Sequence, residues 1–503
     1  MAAAIMVQGT GSGAGKSLVA AALCRLFRNA GYRVAPFKSQ NMALNSYVTA
    51  ESGEIGRAQA LQAEAAGIPP SVYHNPILLK SEGASGSQVV VMGEPFKTMT
   101  ASEYYKNKEL FWPYVVSAWE ELNSQYDIVV IEGAGSPAEI NLTAREIVNM
   151  AVARLASAPV LLVGDIDKGG VFASLYGTAA LLKDDAKLIK GFIINKFRGD
   201  VNILIPGNEM IHNLTGIPVI GVIPYVSGIG LEEEDGLALG SHLTVGDKTC
   251  AGLKITVLRL NYISNFTDFH ALSCEPGVEL VYSLRDNDIL SSDLVIIPGT
   301  KNTVKDLLYL KETGVSDSLS KAVSQGIPVM GMCGGYQMLG KRILDPDMIE
   351  SQHREVSGLG FLETETVFEP SKVTLRVTAN KTGGIPFIDG EFGNLDCYEI
   401  HMGQTTGGNI FEVRAGDRTY HDGMSCGSVW GTYLHGVFDN DSFRAALLDG
   451  LRAKRGLKQT GTGINYKKLR DSAIERWSST VAKFLDMDFI YSLLSVKHIS
   501  IQK

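Results

Sequence analysis

Short apolar runs alternate with longer amphipathic stretches through the first half of the chain, and the stretch at 16–30 is predicted to be a helix. Runs of this length, separated by helical stretches, predict a parallel β-sheet wrapped by helices. The predicted strands of this first series lie at 5–7, 34–37, 128–131, 160–163, 188–194 and 219–223.

The pattern breaks between residues 226 and 252, where glycines surround the acidic run 232–235. This run could be a ligand cluster, but a solvated surface segment is the favoured interpretation, and the region is predicted to be a linker. A second α/β strand series follows at 254–258, 294–297, 329–332 and 428–433. We therefore predict a first domain at 1–230, a linker at 231–252, a second domain at 253–455 and a helical C-terminal extension at 456–503.

Composition narrows the class of protein. The 503 residues are 45% hydrophobic and 20% charged, as in ordinary globular proteins, and the net charge of -8 argues against nucleic acid or an anionic membrane as the main partner. No apolar run reaches the ~18 residues of a spanning helix. The first strand also runs into the following loop without a charged leader, so we expect a cytoplasmic protein.

A glycine-rich loop follows the first predicted strand and precedes the first predicted helix. Its sequence is Gly9-Thr10-Gly11-Ser12-Gly13-Ala14-Gly15-Lys16-Ser17. Such loops bind nucleotides because their backbone N–H groups converge on phosphate oxygens, while the lysine adds charge and the hydroxyl binds magnesium. The alternative is a loop that only packs. The predicted ATP-binding residues are Thr10, Gly11, Gly13, Gly15, Lys16 and Ser17.

Thr10 stands where the usual pattern has glycine, and this variant resembles dethiobiotin synthetase and its relatives, which activate carboxyl groups with ATP. The resemblance implies that Glu132, at the end of a strand in Val130-Ile131-Glu132-Gly133, holds Mg²⁺ together with Ser17. It also implies that Asn195, after the 188–194 strand, recognises the base. The six cysteines and nine histidines form no metal-ligand spacing, so magnesium is the only metal expected.

A second candidate site lies in the second strand series. In Gly331-Met332-Cys333-Gly334-Gly335, after an apolar run, the glycines permit the sharp strand-to-helix turn of a nucleophile elbow. The amides of Gly334 and Gly299 could form an oxyanion hole. His435 ends another apolar run and is the candidate base for Cys333, although a lone histidine is more often structural.

The second predicted domain resembles the class I glutamine amidotransferases, whose domain has a flavodoxin-like α/β fold. Those enzymes usually carry a Glu two residues after the His to orient it, whereas this chain has Val437. The orienting group is therefore missing or supplied elsewhere, as in the cobyrinic acid amidating branch of the class. His401, in a segment similar to that branch, is either an active-site neighbour or structural.

Taken together, long stretches resemble the cobyric acid synthase family, among them 36–62, 75–80, 87–91, 132–142, 165–173 and 195–200. In the 165–173 stretch, Lys168 stands where the family would carry Arg. The resemblance implies ATP- and L-glutamine-dependent amidation of the b, d, e and g carboxylates of adenosylcobyrinic acid a,c-diamide, a corrinoid. It also suggests Glu54 as a further metal ligand, and Asp165 and Glu146 as additional acids. The alternatives are the a,c-diamide synthase, a ligase for another carboxylate, and a P-loop switch with a decayed second domain.

Overall fold

The computed structural model describes residues 1–82, 86–142, 145–231, 243–246, 252–390 and 392–494. Its contacts divide the chain into two compact units. The first contains Met1–Ala43, Gly53–Asp235 and Arg470–Lys503, and the second contains Leu44–Ser52 and Gly236–Leu469. This division departs from the predicted domains at 44–52 and from residue 470 onward, and most of the predicted linker lies outside the described residues.

A parallel six-stranded sheet is the centre of the first unit. It contains all six strands predicted there, and the predicted α/β class is confirmed. Val34–Phe37 has the predicted bounds, and the other five differ by one to three residues at one or both ends. The strands lie in the order Val219–Pro224, Ile189–Phe197, Val160–Asp165, Ala3–Gly9, Ile128–Glu132 and Val34–Phe37, with every neighbouring pair parallel.

Both faces of this sheet are buried, because side chains alternate along each strand and helices cover each side. Val160 and Leu162 enter one apolar cluster, whereas Leu161 and Val163 enter another. The helices that lie wholly within this unit are Lys16–Asn29, Arg57–Ala66, Ala101–Lys106, Trp112–Gln125, Met150–Leu155, Val171–Leu181, Val201–Thr215 and Met487–Leu494.

The first unit also contains a small second sheet that the sequence pattern did not predict. Its strands lie in the order Gln40–Met42, Ile77–Ser81, Ser87–Val91 and Glu94–Met99, and all pairs except the first are antiparallel. A short strand at Glu54–Gly56 precedes the Arg57–Ala66 helix. The family-like stretch 36–62 therefore includes the Gln40–Met42 and Glu54–Gly56 strands and part of the Arg57–Ala66 helix in this unit, whereas its residues 44–52 belong to the second unit.

Part of the predicted helical extension at 456–503 is helical, with helices at Tyr466–Phe484 and Met487–Leu494. Residues 456–465 are not helical, and 495–503 lie outside the described residues. The two helices do not form a separate extension. Ile474, Trp477 and Val481 are buried in the same apolar cluster as Phe27 of the first unit. The Trp477 indole donates a hydrogen bond to the Leu18 carbonyl at 2.7 Å, so residues 470–494 complete the core of the first unit.

The second unit is built on a seven-stranded sheet whose interior pairs are parallel and whose two edge pairs are antiparallel. The strand order is Leu243–Gly246, Val278–Ser283, Leu253–Leu258, Leu294–Ile297, Val329–Met332, Val429–Thr432 and Met424–Cys426. The four predicted strands are all present. The helices within this unit are His270–Ser273, Asp286–Leu290, Thr303–Glu312, Val315–Ser324, Gly334–Leu339 and Asp441–Lys454.

A second, mostly antiparallel sheet completes this unit. Its strands are Glu355–Ser357, Arg342–Leu344, Glu365–Lys381, Phe411–Ala415 and Arg418–Asp422, and Leu395–Thr405 pairs with the long Glu365–Lys381 strand. The main chains of Tyr398 and His435 also form an isolated antiparallel bridge. This bridge brings the Leu395–Thr405 strand to the predicted catalytic histidine.

Candidate active site

The glycine-rich loop lies between the Ala3–Gly9 strand and the Lys16–Asn29 helix, the arrangement expected for a phosphate loop. Gly15, at the start of the helix, has φ 97°, a left-handed value that favours glycine. The Lys16 ammonium curls back over the loop and donates to the carbonyls of Gly11 at 2.8 Å and Gly135 at 3.2 Å. Lys16 is therefore held beside the loop, where it would meet bound phosphates.

Four side chains donate hydrogen bonds to the Glu132 carboxylate at this site. Its Oε1 accepts hydrogen bonds from Ser17 Oγ at 2.8 Å and Lys38 Nζ at 2.9 Å. Its Oε2 accepts from Gln62 Nε2 at 2.6 Å and Gln59 Nε2 at 3.2 Å. Burial would raise the pKa of Glu132, but the Lys38 charge and these donors hold that pKa below its usual value. The carboxylate is thus ionised and oriented toward Ser17.

Three further side chains hold the backbone of the loop: Asn195 and Lys196 from the Ile189–Phe197 strand, and Lys168 from the turn after the Val160–Asp165 strand. Asn195 Nδ2 donates to the Ala14 carbonyl at 2.9 Å, Lys168 Nζ to that of Ser12 at 3.1 Å, and Lys196 Nζ to that of Gly13 at 2.7 Å. Thr10 is fixed by its own N–H, which donates to the Val163 carbonyl. Asn195 touches the loop itself, and its predicted role in base recognition stays a prediction.

The additional acids predicted from the resemblance have defined partners. Glu54 forms a buried ion pair with Lys80 at 2.5 Å, and its predicted role as a metal ligand stays a prediction. Glu146 accepts from the N–H groups of Val148, Asn149 and Ala151, which secures the start of the Met150–Leu155 helix. Asp165 pairs with Lys196 at 3.0 Å. Glu146 therefore has a structural function in this arrangement.

The donor set at the loop fits magnesium. Ser17 and Glu132 present a hydroxyl and a carboxylate oxygen within 2.8 Å of each other, and hard oxygen ligands are those that Mg²⁺ prefers. Within the described part of the chain, no group of three or more His, Cys, Asp or Glu side chains is arranged to hold a metal ion. A magnesium bound by few protein oxygens and by substrate phosphates agrees with this composition.

Cys333 lies at the turn between the Val329–Met332 strand and the Gly334–Leu339 helix, as predicted for a nucleophile elbow. Its φ of 51° and ψ of -111° are strained for a non-glycine residue. The turn is tight, since a Cβ added at Gly335 would lie 1.9 Å from the Ile297 carbonyl oxygen. The Cys333 thiol points at the carbonyl of Ile400, 3.3 Å away.

His435 is paired with a carboxylate that the sequence did not reveal. Its Nδ1 lies 2.6 Å from Oδ2 of Asp268, and both side chains are buried. Burial lowers the pKa of His435, but the Asp268 carboxylate and the nearby Cys333 outweigh burial and raise that pKa to about 10. In the described part of the chain, His435 Nε2 has no hydrogen-bond partner, so it remains available for proton transfer.

The predicted oxyanion-hole residues lie at this site. A Cβ at Gly299 would be 3.3 Å from His435 Cε1, and a Cβ at Gly334 would be 2.8 Å from Thr300 Cγ2. The 298–300 loop therefore lies against both the histidine and the elbow. Side chains at either glycine would crowd the space where a substrate carbonyl must enter, and the donation of their N–H groups to an oxyanion stays a prediction.

Tyr398 holds the histidine and the aspartate together. Its ring stacks on the His435 imidazole at 5.2 Å between centroids and 13° between planes, and its hydroxyl donates to Asp268 Oδ1 at 3.1 Å. Val437 is completely buried in the apolar core. A Glu at that position would have to lose its hydration. The carboxylate that contacts His435 here belongs to Asp268.

His401 belongs to a neighbouring polar cluster. Its ring stacks on Tyr433 at 3.8 Å, and its Nδ1 contacts the Gly403 carbonyl at 3.0 Å. Asp422 lies in the same region, where burial and the charge of Glu399 raise the pKa of Asp422 to about 7. His401 follows Ile400, whose carbonyl contacts the Cys333 thiol, so His401 is next to a residue that touches the nucleophile.

Sequence reasoning missed four residues of the two sites: Lys38, Gln59, Gln62 and Asp268. Gln59 and Gln62 are three residues apart on the Arg57–Ala66 helix, a spacing that places both on one face and could have revealed them. Asp268 lies 167 residues before His435, in a 3₁₀ helix at Phe266–Phe269. No motif marks it, and only the fold brings it to the histidine.

Known proteins match the chain along nearly its full length. Residues 5–239 match the CobQ/CobB/MinD/ParA nucleotide binding domain, and residues 254–443 match the CobB/CobQ-like glutamine amidotransferase domain. "Cobyric acid synthase" of Thermodesulfovibrio yellowstonii is 47% identical over 98% of this chain and 99% of the relative. The chain belongs to the cobyric acid synthase family. The protein of the same name from Pelotomaculum thermopropionicum is 48% identical over 99% of this chain and 97% of its own length.

Family membership confirms two predictions: the pairing of a nucleotide-binding domain with a glutamine amidotransferase domain, and a glutamine-dependent, amide-forming ligase. The P-loop switch with a decayed second domain is excluded by the same result. Within the described ranges, no helix combines the length and the apolar character needed to cross a membrane.

Proposed function

We propose that this member of the cobyric acid synthase family amidates the b, d, e and g carboxylates of adenosylcobyrinic acid a,c-diamide, using ATP and L-glutamine. The proposal is supported by relatives named "Cobyric acid synthase" that are 47–48% identical over nearly the whole chain. It is supported physically by two separate sets of reactive residues, one at a phosphate loop and one at a cysteine elbow.

The first set would activate the carboxylate. A carboxylate is a poor electrophile, so the γ-phosphoryl group of ATP is transferred to it, ADP leaves, and an acyl phosphate forms. Lys16 would hold the β- and γ-phosphates, and Ser17 and Glu132 would bind Mg²⁺, which supplies charge neutralisation when bound. Ammonia then attacks the acyl carbon and inorganic phosphate departs, leaving the amide.

The second set would release that ammonia. The Cys333 thiolate attacks the side-chain carbonyl carbon of glutamine, and the proton on His435 Nε2 passes to the departing nitrogen, which leaves as ammonia. Water then attacks the thioester while His435 takes its proton, and glutamate and the thiolate are regenerated. Asp268 at 2.6 Å keeps Nδ1 engaged, so that Nε2 faces the reaction.

The observation that carries the substrate assignment is the resemblance over 36–62, because Lys38, Gln59 and Gln62 of that stretch all reach Glu132. These contacts with Glu132 support the proposal that the segment helps to present a carboxylate to ATP. The competing assignment is the sister enzyme, which amidates the a and c side chains. That enzyme has a different segment at this place in the chain.

Incubation with two corrinoid acids separates these candidates. The purified protein, given Mg²⁺, ATP and glutamine, should convert the a,c-diamide to the product amidated at b, d, e and g, with little reaction of the unamidated acid. Mass spectrometry follows each added amide. Product from the unamidated acid at a comparable rate would overturn the assignment in favour of the a,c-diamide synthase. We place the reaction in the cytoplasm, where ATP and glutamine are abundant.

A further inference from the structure

Asp306 is a buried acid of the second unit to which the proposed chemistry assigns no step. It lies in the first turn of the Thr303–Glu312 helix and is completely buried. Burial raises the pKa of its carboxyl group to about 6, although the groups that donate hydrogen bonds to it lower that pKa. The group is therefore mostly ionised at neutral pH. A buried carboxylate is costly unless donors satisfy it, so its donors indicate which part of the fold it serves.

The donors to this carboxylate come from two separate segments of the second unit. From one segment, the Asn261 N–H donates to its Oδ1 at 3.1 Å, and the Tyr262 N–H donates to its Oδ2 at 3.2 Å. From the other segment, the Thr300 hydroxyl donates to the same Oδ2. One carboxylate thus joins the 261–264 segment to the 298–300 loop.

The main chains of these two segments run side by side in opposite directions. Ile263 and Thr300 form an isolated antiparallel bridge. The Ser264 N–H donates to the Gly299 carbonyl at 2.9 Å, and a second hydrogen bond of the same length joins the residues on the other side of the pair. When the hydrogen bonds flank an antiparallel pair in this way, the N–H groups of the pair itself point away from the neighbouring strand. The Thr300 N–H therefore points away from Ile263.

The cysteine elbow lies next to the Thr300 N–H. A Cβ added at Gly334, the residue after Cys333, would lie 3.3 Å from the Thr300 nitrogen. A Cβ added at Gly299 would lie 3.3 Å from His435 Cε1. The loop is therefore adjacent to both the nucleophile and its base, where an N–H group can meet the oxygen of a carbonyl that the thiolate attacks.

We propose that Asp306 holds Thr300 in the position from which its N–H donates to the oxyanion formed during glutamine hydrolysis. The proposal rests on the proposed function of Cys333 and His435. As the thiolate forms its bond to the side-chain carbonyl carbon, the C=O π electrons move to the oxygen, and the carbonyl re-forms when ammonia leaves. The transient negative charge is stabilised best by a donor that is already in place. Asp306 is a positioning residue, because it acts on the oxyanion only through Thr300.

A matched pair of substitutions at Thr300 separates positioning from packing. Thr300→Val keeps the shape of the side chain but removes the hydroxyl that donates to Asp306, whereas Thr300→Ser keeps the hydroxyl and removes the methyl group. Because the Thr300 hydroxyl also accepts from the Asn302 N–H at 3.2 Å, Asp306→Asn is needed to assign the effect to the acid. Asp317→Asn removes the same charge at an exposed position of the same unit and is the control.

Two measurements on the full-length protein distinguish loss of the oxyanion donor from damage to the elbow. The first gives kcat and KM for glutamate release from glutamine. The second is the rate at which iodoacetamide alkylates Cys333, followed by mass spectrometry of the peptide that contains this cysteine. In alkylation the thiolate displaces iodide and no oxyanion forms, so this rate depends on the nucleophile and its surroundings but not on the oxyanion donor.

We expect kcat to fall about twentyfold in Asp306→Asn and Thr300→Val, with KM for glutamine and the alkylation rate within about twofold of wild type. Thr300→Ser should retain more activity than Thr300→Val, and the control should match the wild type. A wild-type kcat in Asp306→Asn, or an alkylation rate that falls in parallel with kcat, would overturn the proposal. Thermal unfolding checks that each variant is folded, and the two Thr300 variants decide the positioning role if Asp306→Asn is not. Wild-type protein that releases no glutamate from glutamine would instead overturn the proposed function, and this proposal with it.

Discussion

The phosphate loop and the cysteine elbow both place a reactive group where a strand turns into a helix, but they fix that group by different means. At the loop, polar side chains converge on one carboxylate, Glu132, and charge is balanced by Lys38. At the elbow, the Cys333 backbone is strained and the histidine depends on a carboxylate far away in the sequence. At the first site several donors thus hold one carboxylate, whereas the second site relies on the His435–Asp268 pair, which Tyr398 supports.

This difference predicts how each site tolerates change. Removing one of several donors to Glu132 leaves the others in place, whereas removing Asp268 takes away the carboxylate at His435 Nδ1 and leaves the stacked Tyr398 ring. The two sites also catalyse separable steps, because added ammonia bypasses glutamine hydrolysis. Variants at each site can therefore be compared with glutamine and with ammonium as the nitrogen source.

The largest effect is expected from Lys16→Ala. Loss of this charge at the phosphates should lower amidation by on the order of a thousandfold or more with either glutamine or ammonium salt, because no acyl phosphate forms. Basal glutamate release at Cys333 should persist. Amide formation is followed by mass spectrometry and glutamate release by a coupled assay. Near wild-type amidation from ammonia would show that Lys16 has no function in activation.

Cys333→Ala should remove glutamine hydrolysis while leaving carboxylate activation intact. Without the thiolate, glutamine-dependent amidation should fall by on the order of a hundredfold or more, and His435→Ala should resemble it. Both variants should use ammonium salt at alkaline pH, where free ammonia is abundant. If Cys333→Ala kept its activity with glutamine, the amidotransferase interpretation of the second unit would be wrong.

Asp268→Asn tests how far the second site depends on the carboxylate beside His435. It removes the negative charge of the side chain but keeps nearly the same size and shape. Glutamate release should fall roughly thirtyfold. In the wild type, the carboxylate helps raise the pKa of His435 to about 10, so the imidazole stays protonated at alkaline pH. Without that charge the pKa falls, and the alkaline limb of kcat/KM should move to lower pH. An unchanged pH profile would exclude Asp268 as the orienting group.

The smallest catalytic change is expected from Val437→Glu, which introduces the residue type that other class I enzymes use. Because Asp268 already orients His435, glutamine hydrolysis should be unchanged or reduced. The new carboxylate would be buried in the apolar core, which should lower the free energy of unfolding by about 2–4 kcal/mol, measured by denaturant unfolding. A large gain in hydrolysis rate would mean that the native pair lacks an effective orienting group.

Much of the fold could be predicted because strands buried on both faces appear as short apolar runs. The strand at Val34–Phe37 and those at Leu294–Ile297 and Val329–Met332 have the predicted bounds. Motifs made of consecutive residues, such as Lys16-Ser17 and Cys333 with its glycines, were equally visible. Their backbone geometry is local, so the sequence around them determines it.

Features that depend on contacts between distant residues could not be predicted. Asp268 carries no motif and reaches His435 only when the Phe266–Phe269 helix is placed by the fold. Residues 44–52 were assigned to the first domain because the chain continues through it, and no composition change marks their departure. Glu54 was expected near the metal, but the sequence does not reveal that Lys80 would neutralise it.

The placement of the last helices has a consequence for how the protein is made. Ile474, Trp477 and Val481 cover an apolar surface that includes Val19, Leu23 and Phe27 of the first helix. During synthesis, that surface stays uncovered until the helix containing Ile474, Trp477 and Val481 has left the ribosome. The nucleotide-binding unit therefore completes its core only after the second unit has been synthesised, although its first helix is made early.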